Sequence, residues 1–343
     1  MASTNSIERP LSPATESAWW VKFLRRNALQ IAIVFVALVI WGFFYWKSPR
    51  TFGAYDIYNS LMSTTPYFAL MAIPLTLVVV AKEIDLSFGS IMAWGMAAFA
   101  LVFSPLSKTN PQLGVYLGFL ACLLAGLFAG WLNGFIVVKL GIPSLVTTIG
   151  TQFFWRGAVM IALNGQGIGL TAVTKTVLYP ALVGRLFGKI PMQFVWMIIF
   201  AIVVWFFLNH HKFGAHVYLV GDNVDSARLM GVDVERTKIL TFAVVGLAAA
   251  FAGFVVSESV LFLWPTLGEG YLLNTLASVF LGGTSVFGGT GTVFGTFVAS
   301  FIIAIINPGI VASGWLAYWT QLIYGMIIVV SVALQSLLRR RLA

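Results

Sequence analysis

Side chains capable of chemistry are few in this chain and fall at a small number of places. Lys82, Glu83, Asp85 and Ser87 form one short cluster, Arg156 follows Trp155, and Glu258 lies between Ser257 and Ser259. The amides Asn133, Gln152 and Asn274 each interrupt an apolar run. Covalent catalysis would need a nucleophile set beside a base, and no Ser, Thr or Cys stands in such an arrangement. Gly282-Gly283 and Gly288-Gly289-Thr290-Gly291 have the glycines of a phosphate cradle without the Lys that should follow; they read instead as a tight re-entrant corner. His210, His211 and His216 lack the Cys support and spacing of a zinc site. Cys122, the single cysteine, sits in the apolar run Leu120–Leu124 and reads as a small buried hydrophobe. No catalytic residue and no metal ligand is assigned.

The composition says what must hold these residues. Of 343 residues 59% are hydrophobic and 9% charged, with a mean hydropathy of +0.94. A soluble domain carries about 25% charged residues, so soluble domains, a disordered chain and a nucleic-acid-binding protein are excluded despite the net charge of +9. What is left is an all-α polytopic membrane protein. A spanning helix needs about 20 apolar residues, and windows of that size predict about ten transmembrane helices, roughly over 27–46, 62–81, 87–104, 113–138, 144–163, 191–208, 238–262, 270–282, 290–307 and 315–337. The eighth is too short to cross alone, so broken or re-entrant elements are expected, buried in protein because bare backbone is forbidden in lipid. Residues 1–26 read as a polar tail and interfacial anchor, 27–337 as the transmembrane domain and 338–343 as a basic end. Thirteen of the 20 Lys and Arg fall on the side of the N-terminus, among them Lys22, Arg25, Lys212, Arg228 and Arg339–Arg341. The positive-inside rule then makes both termini cytoplasmic.

Ionisable groups within spans cost roughly 2.5–3.5 kcal/mol on insertion scales, which makes each a functional candidate. Glu83 and Asp85 read either as an ion pair with Lys82 that caps the next helix or as a gate. Arg156 reads as a side chain reaching the outer surface or a ligand contact, and Glu258 as facing water or a partner copy. The hydrophilic stretch 209–237 is the most informative. From Asn223 it reads as a short helix, capped by Asn223 or Asp225, with Ala227, Leu229 and Met230 on an apolar side and Gly231 as its stop. Such an element is either a docking knob for a cytoplasmic partner or an ordinary solvated loop.

Four segments resemble one family in the same order: Ile84-Asp85-Leu86-Ser87-Phe88-Gly89-Ser90; Thr148-Ile149-Gly150-Thr151 with Arg156-Gly157 and Gly165-Gln166; Lys212-Phe213-Gly214 through Asp222-Asn223 to Ala227-Arg228-Leu229-Met230-Gly231; and Phe280-Leu281-Gly282-Gly283-Thr284-Ser285 through Gly295-Thr296. They are similar to permease subunits of bacterial ABC carbohydrate importers of the ribose, xylose and arabinose type, relatives of the branched-chain amino acid permeases. The resemblance covers about 60–335. It implies a multi-pass subunit of the bacterial inner membrane, paired with a second permease subunit (a copy or a close paralogue). Two cytoplasmic ATPase domains and a periplasmic substrate-binding protein would complete the assembly. ATP and Mg would be bound by the ATPase partners, and no cofactor by this chain. It makes Asn223, Asp225, Ala227, Arg228 and Gly231 the ATPase-coupling residues. Asp85, Ser87, Gly282 and Gly283 are expected at gating corners. A sugar path uses amides, hydroxyls and aromatic faces, so Asn133, Gln152, Trp155 and Asn274 are its candidates, with interhelical hydrogen bonding as the other reading of each. The chain departs from the family after Gly270-Tyr271, where Leu272 and Asn274 replace two acidic residues. An ion-driven secondary transporter or channel, and an ABC permease for branched-chain amino acids or nucleosides, are the alternatives.

Overall fold

The computed structural model describes residues 27–342, so the tail and anchor read over 1–26 lie outside the described residues. The chain is helical almost throughout. In order it forms α1 (Ala28–Lys47), α2 (Pro49–Phe52), α3 (Tyr55–Thr64), α4 (Pro66–Val80), α5 (Phe88–Leu106), α6 (Pro111–Lys139), α7 (Ser144–Ala162), α8 (Leu178–Val183), α9 (Met192–His210), α10 (Lys212–Asp222), α11 (Val224–Leu229), α12 (Val234–Val260), α13 (Tyr271–Leu281), α14 (Val293–Ala312) and α15 (Trp319–Leu342). The hydrophilic stretch 164–190 holds a 3-10 turn and two-residue strands. One of these, Ile168–Gly169, pairs antiparallel with Phe262–Leu263 beyond α12.

Among the described residues seven helices are long and apolar enough to cross a membrane, and the bent pair α3–α4 makes an eighth. Ten were expected. The expected span at 62–81 is in fact this pair, broken by 50° at Thr65, where Pro66 opens α4 with no N–H to carry the first helix onward. The expected span at 144–163 is the 19-residue α7, and Thr147, Thr148, Thr151, Gln152 and Arg156 keep it below the apolarity of a span. The expected short span is the 11-residue α13.

The core forms around α12, which has buried residues on every side. It lies against α6 through glycine: a Cβ on Gly130 would stand 2.2 Å from the Phe242 carbonyl oxygen, and one on Gly246 2.2 Å from that of Gly126. Without a hydrophobic drive between helices in lipid, such backbone approach supplies the van der Waals contact that holds them. In contrast, α1 and α15 expose most of their apolar side chains, Trp46 and Val329 among them, as lipid-facing helices do.

After α12 the chain turns back into the body. Leu263, Leu267 and Gly268 are buried, and a Cβ on Gly89 at the start of α5 would lie 2.9 Å from the Gly268 carbonyl oxygen. The segment 261–270 thus packs back on the start of α5 through Leu263, Leu267 and Gly268, while Phe262, Thr266, Glu269 and Gly270 stay exposed. It carries α13 to the interior.

Candidate functional site

A large cavity lies where this segment meets α3, α4, α14 and α15. It encloses about 910 Å³. Its wall takes Ser60, Thr64, Tyr67 and Phe68 from the bent pair, Gly270–Asn274 from the start of α13, Asn307 and Pro308 from α14, and Tyr318, Thr320, Gln321 and Tyr324 from α15. No charged side chain lines it. Gly270 enters α13 at φ +90° and no side chain caps that helix start, so N–H groups of the first turn are left at the cavity edge. The Thr320 hydroxyl is buried with no partner. Amide, hydroxyl and N–H groups with aromatic faces between them suit a neutral ligand that both donates and accepts hydrogen bonds.

Of the four predicted pathway residues only Asn274 lines this cavity. Trp155 is buried in an aromatic stack, 5.1 Å from the Trp94 ring centroid and 4.9 Å from that of Phe154. Gln152 sits half-buried on α7 beside Phe153 and Phe154, which face outward. Asn133 belongs to the corner instead: its amide donates to the Ser87 hydroxyl at 2.7 Å. Sequence reasoning missed Asn307, Gln321, Tyr67 and Thr320. The signal available was a polar residue on each of three neighbouring apolar helices, but which helices face one cavity is a tertiary fact.

The corner 81–87 is a buried polar network in which Asp85 Oδ2 and Asn133 Oδ1 are left without partners. Asp85 is fully buried, and its Oδ1 accepts from the Ser87 N–H at 2.8 Å and the Ser87 hydroxyl at 2.6 Å. Burial pushes its carboxyl up to about 6, against the pull of those hydrogen bonds. The Ser144 hydroxyl accepts from the Ile84 N–H at 3.1 Å. Glu83 pairs with Lys238 of α12 rather than with Lys82, which corrects the expected local pair; Lys82 itself takes φ +64° and is exposed. The expectation for Arg156 is also corrected. Its guanidinium donates to the carbonyls of Pro265 at 2.5 Å and Leu267 at 3.0 Å and lies 3.5 Å from Glu269, so it pins the segment 261–270. Glu258 is fully buried and neither carboxylate oxygen has a partner, which overturns its placement toward water.

The second corner, 282–292, closes on the first. Gly282 lies against Gly295 and Thr296 of α14, and Gly283 takes φ +84°. The Gly289 N–H donates to the Val80 carbonyl at 2.9 Å, and the Tyr218 hydroxyl of α10 donates to the Gly291 carbonyl at 2.9 Å.

The hydrophilic stretch 209–237 holds two helices, the expected short one from Asn223 and α10 before it. In α11 Asn223 is the cap, its Oδ1 accepting from the Ser226 N–H at 2.9 Å, while Asp225 pairs with Arg228 at 3.4 Å on the open surface. Gly231 takes φ +78° and ends the turn, as expected. The expected apolar side is divided. Ala227 packs inward with Val220, Val232 and Val234, whereas Leu229 and Met230 point outward, 91% and 66% exposed. A six-residue helix turns by 100° per residue, so 227 and 229 cannot share a face. The outward pair is an apolar knob on a rigid base.

Comparison with known proteins places the sequence among transport permeases. The model of the family described as branched-chain amino acid transport system / permease component matches residues 57–332. The autoinducer 2 import system permease protein of Yersinia pseudotuberculosis serotype O:3 is 31% identical over 280 residues, 81% of this chain and 77% of its own. The ribose import permease protein of Escherichia coli K12 is 28% identical over 320 residues, 93% of this chain and 95% of its own. No solved structure matches.

Proposed function

Because the chain belongs to the family of branched-chain amino acid transport system permease components, and so is a multi-pass protein of the inner membrane, we propose that it is the permease subunit of an ATP-driven ABC importer for a neutral sugar or polyol. The observation that carries this reading is the uncharged cavity lined by Asn274, Asn307, Gln321 and four tyrosines. An amino acid would bring a carboxylate and an ammonium that no charged side chain there would pair. The names of the relatives, permeases for ribose and for autoinducer 2, support the same class.

In this reading a binding protein delivers the ligand from the periplasm, and two ATPase domains dock on α11 of this chain and of a second permease subunit. ATP and Mg belong to those partners. ATPase closure would favour one of two forms of the cavity, and only a difference in affinity between the forms moves the equilibrium. Weak hydrogen bonding to many neutral groups suits this, because a ligand held tightly in either form would not be released.

The test is uptake into proteoliposomes that hold this chain with its ATPase and binding-protein partners, assayed with labelled pentoses, hexoses and branched-chain amino acids. ATP-dependent uptake of a neutral polyhydroxyl compound, slowed by Asn274→Leu or Asn307→Leu, is expected. Preference for an amino acid, or uptake without ATP driven by an ion gradient, would refute the proposal.

A further inference from the structure

A second cavity has no place in the transport reading. It is a groove of about 450 Å³ between α9, α12 and the end of α4, and its walls include Phe200, Val203 and Phe207 from α9 and Leu240, Val244 and Leu247 from α12. Apart from His211 at one end, every lining side chain is apolar. It runs along α9 from Ile199 to Phe207, about 12 Å at 1.5 Å per residue. One leaflet of a bilayer core of about 30 Å is about 15 Å deep, so the groove extends through most of the leaflet next to α10 and α11. It opens sideways, since Val203 and Leu240 are 46% and 41% exposed.

The mouth of the groove is basic. Arg236 lies four residues before Leu240 and eight before Val244, on the same face of α12. Lys212 begins α10 directly after His211. Arg236 and Lys212 are exposed and make no ion pair among the described residues. Of the acids beside Arg236, Glu235 pairs with Lys139, and Asp233 caps α12, its Oδ1 accepting the Arg236 backbone N–H at 2.9 Å without pairing with the guanidinium. His211 is held edge-on to Phe207 at 5.2 Å, and its Nδ1 accepts from the Phe213 N–H at 3.1 Å. In the neutral ring that leaves Nε2–H as a donor with no partner within the described protein.

We propose that this groove holds one acyl chain of an anionic glycerophospholipid whose phosphate sits between Arg236, Lys212 and His211. An apolar slot of leaflet depth takes the chain. Two unpaired cations and an imidazole donor at interface height take the phosphate, as basic pockets between spans do. A zwitterionic lipid would fill the slot without satisfying both cations. The bound lipid would bridge α9, α10 and α12, and so stiffen the base on which α11 is mounted.

The experiment is a titration of the full-length protein with phosphatidylglycerol and with phosphatidylethanolamine, read by native mass spectrometry. Wild type is expected to retain phosphatidylglycerol preferentially. Each surface cation is worth roughly a factor of five in anionic-lipid affinity, so the double variant R236Q/K212Q should lose about 30-fold for phosphatidylglycerol with phosphatidylethanolamine unchanged. Both positions are exposed, so that variant keeps its fold. Val203→Trp fills the slot from its open side and should remove both lipids. Unchanged phosphatidylglycerol affinity in R236Q/K212Q would overturn the headgroup assignment, and full retention by Val203→Trp would overturn the groove. A disulfide between two copies of Val203→Cys in the membrane would show a second chain as occupant and overturn the proposal altogether.

Discussion

Replacing Gly221 by Ala should loosen the junction between α10–α11 and the rest of the molecule. Gly221 lies in the last turn of α10, and a Cβ there would stand 1.7 Å from the Val80 carbonyl oxygen and 2.6 Å from the Gly289 nitrogen. Both neighbours are backbone, so neither can rotate aside as a side chain would. Those two atoms are the acceptor and donor of one hydrogen bond, so restoring ordinary contact means moving α10 by more than 1 Å and parting the Val80–Gly289 bond on which the Cβ intrudes. Overpacking costs about 1–3 kcal/mol and the bond about 1 kcal/mol, against about 1 kcal/mol gained because Ala suits a helix better than Gly. The net loss is about 2 kcal/mol, roughly 30-fold in the population of the closed junction. Hydrogen–deuterium exchange should show faster exchange at Gly289 and across 216–230, with transport reduced. Gly157→Ala on α7, where nothing lies within 4 Å, is the control and should leave stability equal or higher. If Gly221→Ala exchanges and transports like Gly157→Ala, the junction is not the tight backbone contact described.

Asn223→Ala removes the cap of α11 and should destabilise that helix by about 1 kcal/mol, seen as faster exchange confined to 224–230. Leu229→Asp should leave the melting temperature unchanged, since the side chain is 91% exposed, yet weaken ATPase association by one to two orders of magnitude if Leu229 is buried on docking at about 1.5–3 kcal/mol; unaltered association would remove it from the interface. Asp85 gives a pH signature. Its carboxyl is raised to about 6 by burial, so the folded state holds an extra proton between about pH 4 and 6. Its contribution to stability is therefore greatest below pH 4 and falls by about 3 kcal/mol as pH rises through 6. Asp85→Asn keeps an acceptor for Ser87 and should flatten this, with unfolding midpoints above wild type at pH 7.5 and equal to it at pH 4.

The spans were legible because apolar windows and their length are fixed by the bilayer, so α1, α5, α6, α9, α12, α14 and α15 fall where hydropathy puts them. Lengths and breaks were less so. The bend at Thr65 depends on Pro66 opening a new helix, and a proline alone does not say whether a helix bends or ends: Pro74, Pro105 and Pro308 sit within continuous helices. The cap at Asn223 and the stop at Gly231 were readable because both are local. Which of Ala227, Leu229 and Met230 faces outward was not, because that is decided by Val220 and Val234 arriving from the flanking helices. The same limit separates Asn133 from Asn274. Each is an amide in an apolar run, and only the packed structure gives one to a hydrogen-bonded corner and the other to a cavity.

The short elements explain how a push on a surface helix could alter a buried cavity. α11 is mounted on α10, and the end of α10 rests by backbone contact on the Val80 and Gly289 corners. The corner at Gly282 ends α13, whose other end is the cavity wall at Gly270–Asn274. An 11-residue helix is about 16 Å long, short enough to tilt as one piece about the glycines at Gly270 and Gly283, both with φ near +90°. A full span in that position would be clamped along 30 Å by its neighbours and would transmit little. The short α13 that fails the length test for crossing a membrane thus joins the Gly282 corner directly to the cavity wall. It is packed on α4, α14 and α15 with Thr275, Ala277, Ser278, Val279 and Phe280 buried, so a shift of the corner reaches the wall through one short rigid helix.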